Sequence, residues 1–429
     1  MFDDEISDYR TQRAMQEYAN ENLDLKSKLL LKSLLKCGKA VVTIKHQRAV
    51  AVVRNNKTAK YAGLNSCKSA WCCPVCSARQ MSKYAAKIAC AIDALKERDQ
   101  VAAMVTLTVP HTSGFTCEQT TEILYNVWKA FTLHGNKILA ASKNDIFSNC
   151  MAALESKHRV RVCEYTWGQK GWHPHFHCLL WFPRKNIDKL LEWEERLNQR
   201  WLELCKRYTI RQLLIGYPKT QRKTVKAQVV ARVNIMYSKL NDVSKCVYIS
   251  QKDNKVIVQE SSTYLCGWGG DKELTGNVKN KATKEGHYTW QQILEKAING
   301  DPTQDWWKLY FEYAIATRKY RHARINFSVH SGLCKIITEH KNTVGYREVL
   351  KKNATDLVQK NGKWRVVCWF TVPQWQSICS NRLTVEILEL AMLDNAIECI
   401  TALLSKHQIP PPTQNPEETE KFEKTYNAA

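Results

Sequence analysis

Trp172-His173-Pro174-His175-Phe176-His177-Cys178-Leu179-Leu180-Trp181-Phe182 is the stretch that decides the fold. Side chains alternate across a strand, so His175 and His177 project together and Phe176 projects to the other side. Upstream, residues 159–167 alternate basic and apolar side chains, and Gly168 to Gly171 reads as a turn. The two runs therefore predict a β-hairpin. Pairing across that turn sets Glu164 roughly opposite His175. Two imidazoles with a carboxylate from the neighbouring strand can grip one divalent ion. The carboxylate suits Mg²⁺ or Mn²⁺ better than a site of imidazoles alone. A single histidine on an apolar strand is ordinarily a hydrogen-bonded core residue; two in register with an opposed glutamate are better read as ligands. His173 shares their face but lies beyond Pro174, where it can be a ligand, a surface residue or a substrate contact.

The bulk properties agree with a nucleic-acid partner. The chain has 429 residues, 44% of them hydrophobic, and a net charge of +23. That length supports two or three domains with a sizeable core. The charge favours polyanions, of which nucleic acid is the commonest. An anionic membrane surface is the rival, but no apolar run is long enough to span a bilayer. The acidic start MFDDEISDYR lacks the apolar stretch of a secretory signal, so a cytoplasmic protein is expected. In a large chain of that kind, 17 cysteines read as thiols or metal ligands rather than disulfides.

Along the chain, residues 5–36 read as helix with a basic face. Val41–Thr43 and 49–53 are β-branched or apolar runs, and Met104–Val109 is a strand stopped by Pro110. Helical periodicity covers 118–133, 187–207, 290–298 and 306–321. Residues 351–370 suggest two strands around Asn361-Gly362, and 384–406 one amphipathic helix. The expected fold is α+β: a central antiparallel sheet carrying the histidine strand, with helices packed on one face. The expected division is an N-terminal helical, basic region over 1–60, a main domain over 61–345, an accessory region over 346–408 and a disordered tail over 409–429.

Cys67-Lys68-Ser69-Ala70-Trp71-Cys72-Cys73-Pro74-Val75-Cys76 contains the Cys-x₂-Cys spacing of a zinc knuckle, in which a tight turn lets two thiolates share one Zn²⁺. Cys67, Cys72, Cys73 and Cys76 make a possible four-thiolate structural site. Adjacent cysteines rarely ligate one ion together, so His46 or Cys90 is an alternative fourth ligand.

HPHFH after an acidic strand resembles the His-hydrophobic-His motif of the HUH endonucleases. Met104-Val105-Thr106-Leu107-Thr108 resembles the first motif of that superfamily. Gln259-Glu260-Ser261-Ser262-Thr263-Tyr264 resembles a third, Glu-x-x-x-Tyr. The order of cysteine cluster, threonine strand, histidine strand and tyrosine is similar to that of single-tyrosine initiators of plasmid rolling-circle replication, over roughly residues 65 to 335. The resemblance implies that Tyr264 nicks one DNA strand through a 5′-phosphotyrosine and that Glu260 activates water for the terminating cleavage. On a helix the two would share a face, with the tyrosine over the metal. Tyr248 and Tyr237 are the other candidate nucleophiles. Relatives often carry a lysine three residues after the tyrosine; here that position is Gly267, and Lys272 is the nearest cation that can stand in.

The partners so implied are single-stranded or cruciform origin DNA, with a host helicase and polymerase. The chain has no Walker-type loop of its own. Arg159 and Arg161 on one strand face, and the run Lys219, Arg222, Lys223 and Lys226, are candidate phosphate contacts. A second run surrounds Tyr320. The alternatives are a transposase or relaxase of the same superfamily, and a zinc-containing DNA-binding regulator without catalysis.

Overall fold

The computed structural model describes residues 5–42, 49–110, 113–132, 146–238, 246–249, 251–252, 255–256, 258–259, 286–320, 325–327, 332–344, 363–414, 419–420 and 423. The protein is α+β, with antiparallel sheets. The described strands are β1 (Ala49–Arg54), β2 (Ala59–Ala62), β3 (Gln100–Thr108), β4 (His158–Gly168), β5 (Gly171–Pro183), β6 (Val247–Ile249), β7 (Gln251–Lys252), β8 (Lys255–Val256), β9 (Val258–Gln259), β10 (Ile325–Phe327) and β11 (Arg365–Thr371). The chain divides into two compact units. One comprises residues 1–80, 298–301 and 347–429; the other comprises 81–297 and 302–346.

The second unit is built on a sheet of order β10-β4-β5-β3-β6, with β9 also paired to β3. Its centre is the long hairpin of β4 and β5, in register from His158↔Trp181 to Gly168↔Gly171. Glycine is required at the turn. Gly171 has φ +88°, and a Cβ on Gly168 would come within 3.1 Å of the Gly286 carbonyl and 3.2 Å of the His287 ring. Helices cover one face of this sheet. Phe176, fully buried, meets Trp128 of the helix Cys117–Phe131 at 5.6 Å between ring centroids. Phe131 meets Trp201 of the helix Ile187–Ile215 at 5.1 Å. Thr116 and Gln119 form a reciprocal capping box that fixes the start of the first of these helices. Edge strand β6 has its Cys246 and Val247 amides bonded to Asn198 Oδ1 of the long helix.

The first unit joins the two ends of the chain. Strand β11 pairs antiparallel with β1, which pairs with β2. One face of this sheet buries Val50, Val52, Phe370 and Trp375 together with Ile6 from the N-terminal helix Glu5–Asn22 and Ile400 and Leu404 from the helix Ala396–Lys406. The expected separation of residues 1–60 from 346–408 is therefore corrected. The two segments supply strands to the same small sheet. The division also places the cysteine cluster with this unit rather than with the histidine hairpin.

Two further expectations change. The segment 384–406 is two helices, Thr384–Leu390 and Ala396–Lys406, that bury side chains in one core. Residues at the start of the expected disordered tail are packed: Ile409 is buried, and Thr413 exchanges backbone hydrogen bonds of 3.0 Å with Trp369 in both directions. Of the two strands expected over 351–370, the second is β11, which pairs with β1; residues 351–362 lie outside the described residues. No described helix is long and apolar enough to cross a membrane.

Candidate metal centres

The hairpin register places Glu164 directly across from His175. Strand β3 lies on the other side of β5, with Thr106 opposite His177 and Thr108 opposite His175. The sheet thus brings three donors to one point. His177 Nε2 is 3.0 Å from Glu164 Oε2, His175 Nε2 is 3.2 Å from the same oxygen, and the two Nε2 atoms are 3.1 Å apart. Ligand atoms about 2.1 Å from a common ion and about 90° apart stand about 3.0 Å from one another, so this triangle has the size of one face of an octahedral site. The outer nitrogens are engaged away from that point: His177 Nδ1 lies 3.0 Å from Thr106 Oγ1, and His175 Nδ1 lies 3.4 Å from the His173 carbonyl. With Nδ1 carrying the proton, each Nε2 would offer a lone pair inward to an ion. His173 itself stays outside the triangle, its ring 5.0 Å from that of His175.

Burial pushes the Glu164 carboxyl up, but hydrogen bonds and charge from His175 and His177 outweigh it and hold the group well below the usual carboxylate range. Glu164 is therefore ionised at neutral pH. The threonine behind His177 gives the first test. Thr106→Val keeps the shape and removes the oxygen that orients the ring. Divalent-ion affinity is expected to fall about 10- to 100-fold. Calorimetric titration with Mn²⁺ measures it, and an unchanged affinity would show that Thr106 does not set the ring.

The second group is in the other unit. Cys37, Cys67, Cys73 and Cys76 have sulfurs that all lie within 4.8 Å of one another. Cys37 Sγ is 3.5 Å from Cys76 Sγ and 3.7 Å from Cys73 Sγ. The edge of a ZnS₄ tetrahedron with bonds of about 2.3 Å is about 3.8 Å, so the spacing fits a metal ion such as zinc. Amides also point at the sulfurs: Cys67 N–H donates to Cys37 Sγ at 3.3 Å and Gln12 Nε2 to Cys73 Sγ at 3.7 Å. Hydrogen bonds from neighbouring thiols, Cys67 first, pull Cys37 far below the usual thiol range.

This group corrects the expected ligand set. Cys72 is not in it; its sulfur lies 3.0 Å from Ser69 Oγ. Cys37 rather than Cys72 takes the fourth place in the group. Cys90 is buried farther along the helix Pro74–Lys96 and is not part of the group. His46 lies outside the described residues.

The strand arginines are corrected as well. Arg161 is 3% exposed, with its guanidinium 4.4 Å from the Phe176 ring centroid and 4.7 Å from that of Trp128. Arg159 stacks at 5.3 Å on Phe147. Both lie on the face that the helices cover, where their planes pack on aromatic rings; Arg161 is buried there and cannot track a phosphate backbone, while Arg159 is half-buried. Of the second basic run, Lys219, Lys223 and Lys226 are exposed. Arg222 is half-buried and donates to the Tyr217 and Ile215 carbonyls at 3.0 and 3.2 Å, closing a helix end. In the run around Tyr320, Lys319 is ion-paired with Glu118.

Tyr264, Glu260 and Lys272 lie outside the described residues. Tyr237 is buried, its phenol pushed up by burial and bonded to Thr209 Oγ1 at 3.0 Å, which makes it a core residue. Tyr248 pairs in register with Thr106, on the edge strand two positions from β5 in the sheet. Comparison with protein-family models, with curated proteins and with solved structures finds no match for the chain.

Proposed function

We propose that this protein nicks and rejoins a single DNA strand at a replication origin of a small plasmid, using Tyr264 as nucleophile and a divalent ion, Mg²⁺ or Mn²⁺, at Glu164, His175 and His177. The observation that carries this reading is the convergence of those three donors on a rigid hairpin, with both outer imidazole nitrogens engaged elsewhere. The net charge of +23 supplies the attraction for a polyanionic substrate.

The ion, when bound, would polarise the scissile phosphate and offset charge that develops in the transition state. The chain supplies the rest. Thr106 and the His173 carbonyl hold the imidazoles in the tautomer that faces inward. Glu164 stays ionised. The Tyr264 oxygen attacks phosphorus, the tyrosyl O–P bond forms, the P–O3′ bond breaks, and the 3′ oxygen leaves to take a proton. A phenol ordinarily titrates near pH 10, and the chain's net charge of +23 would favour the reactive phenolate. Glu260 would serve as general base for water in the terminating cleavage. The four-thiol group is read as structural zinc, separate from the chemistry.

The test is incubation with single-stranded origin DNA and Mn²⁺, followed by mapping of any DNA-linked peptide. Tyr264→Phe removes only the attacking oxygen, so DNA binding is expected to survive and the covalent adduct to disappear. An adduct that persists in this variant assigns the nucleophile elsewhere. A chain that binds DNA and forms no adduct under any metal would be a zinc-containing DNA-binding regulator.

A further inference from the structure

The long helix Ile187–Ile215 and the helix Arg222–Ser238 form an antiparallel pair whose far end carries no buried residue. Thr209 is the last buried side chain of the first helix and Val229 the first of the second; nothing between them is buried. Beyond the packed stripe of Val229, Val233 and Tyr237, the tip extends by about six residues of each helix, or about 9 Å. Its composition is one-sided. Between Leu204 and Ser238 there are eight lysines and arginines and no aspartate or glutamate. Six of the eight are exposed: Arg207, Arg211, Lys219, Lys223, Lys226 and Arg232. Helix surfaces in solution normally intersperse both signs, since opposite charges three and four residues apart stabilise a helix and like charges destabilise it. This helix pair forgoes such pairing over 35 residues.

We infer that this helical hairpin is an arm that grips the phosphate backbone of double-stranded DNA. Three observations favour the duplex over a single strand. The arm is a pair of α-helices, and an α-helix about 10–12 Å across matches the width of the major groove. Its cations recur at one-turn intervals, as at Arg207 and Arg211. Single-strand binding surfaces present successive aromatic rings for stacking, whereas the unburied tip from residue 210 to 228 has one aromatic, Tyr217. The root of the arm is tied to the hairpin site. Trp201 Nε1 donates to the Thr108 carbonyl, and Thr108 lies opposite His175 in the sheet. An arm fixed there holds duplex beside the strand that carries the donors. The assignment rests on the nicking reading for the identity of the polyanion as DNA, and on the arm's own charge for the contact.

The test is the full-length triple variant Lys219→Ala, Lys223→Ala, Lys226→Ala, with Arg222 left in place because it closes a helix end. Binding is measured by fluorescence anisotropy against an origin-containing duplex and against the corresponding single strand, over a range of salt. Loss of three phosphate contacts is expected to reduce the salt slope on duplex by about 3 and to weaken duplex binding by on the order of 10-fold or more. Single-strand binding and cleavage of single-stranded oligonucleotide should be unchanged. Equal loss on duplex and single strand would overturn the duplex assignment, and no loss on either would make the arm a solvated face. If the parent chain binds duplex through these lysines but never cleaves, the arm stands and the nicking reading falls.

Discussion

His177→Ala is expected to abolish metal-dependent cleavage, by about 10³-fold or more, while the protein stays folded. The expectation follows from where the ring sits. His177 is 5% exposed, and its Nε2 stands 3.0 Å from Glu164 and 3.1 Å from His175. Removing it leaves a carboxylate and one imidazole, too few donors to hold an ion against water. Stabilisation of developing charge at a phosphate is worth several kcal/mol, and each 1.36 kcal/mol is tenfold in rate. The strand itself does not depend on the imidazole, because β5 is held on both sides by backbone pairing to β3 and β4. Mn²⁺ titration should show loss of the high-affinity site, and far-ultraviolet circular dichroism should show an intact fold. If His177 were only a hydrogen-bonded core residue, the same variant would melt earlier yet keep both ion binding and cleavage. That outcome would remove the divalent-ion site from the hairpin.

The hairpin was legible in the sequence because its signals are local. Alternation with period two, a Gly-x-x-Gly turn and a fixed count from the turn set the register, and the register alone puts Glu164 opposite His175. Thr106 was visible as part of a threonine-bearing strand, but its role at His177 Nδ1 depends on which strand lies next to β5. Sheet order is a non-local property. The arginines show the same limit from the other side. Alternation correctly gives Arg159 and Arg161 one common face, yet nothing nearby says which face the helices cover. That information sits in Trp128 and Phe147, on helices elsewhere in the sequence. The pairing of β1 with β11 joins residues more than 300 positions apart, and neither strand carries a mark of its partner. The break between the helices Thr384–Leu390 and Ala396–Lys406 was in principle readable. Asp394-Asn395 inside an otherwise apolar repeat is a helix-start signal, but the apolar period runs on through it.

Cys37 carries the other large effect. Cys37→Ser is expected to leave the purified protein with zinc well below one equivalent and to unfold the first unit under milder conditions. Cys72→Ser is expected to change neither. The two residues look alike in the sequence, and the cluster around Cys73-Pro74-Val75-Cys76 favours Cys72 by proximity. Geometry reverses that order. Cys37 Sγ is within 3.7 Å of two other sulfurs of the group, and it receives the Cys67 amide. Gly38, at φ +76°, lets the chain turn immediately after it. The Gly38 amide then bonds to the Asn65 carbonyl at 2.8 Å, holding this turn against the loop that carries Cys67. A structural zinc site contributes on the order of 10 kcal/mol to folding, comparable with the whole net stability of about 5–15 kcal/mol typical of a domain. One ligand in four is thus enough to matter. The N-terminal helix should feel the loss first, since Gln12 donates both to the Cys37 carbonyl and to Cys73 Sγ. Elemental analysis of freshly purified variants, paired with thermal melts in the presence and absence of a chelator, decides the matter. Full zinc in Cys37→Ser and depleted zinc in Cys72→Ser would restore the ligand set that proximity in sequence suggests. Absence of zinc from the parent protein itself would mean that the four sulfurs meet without an ion.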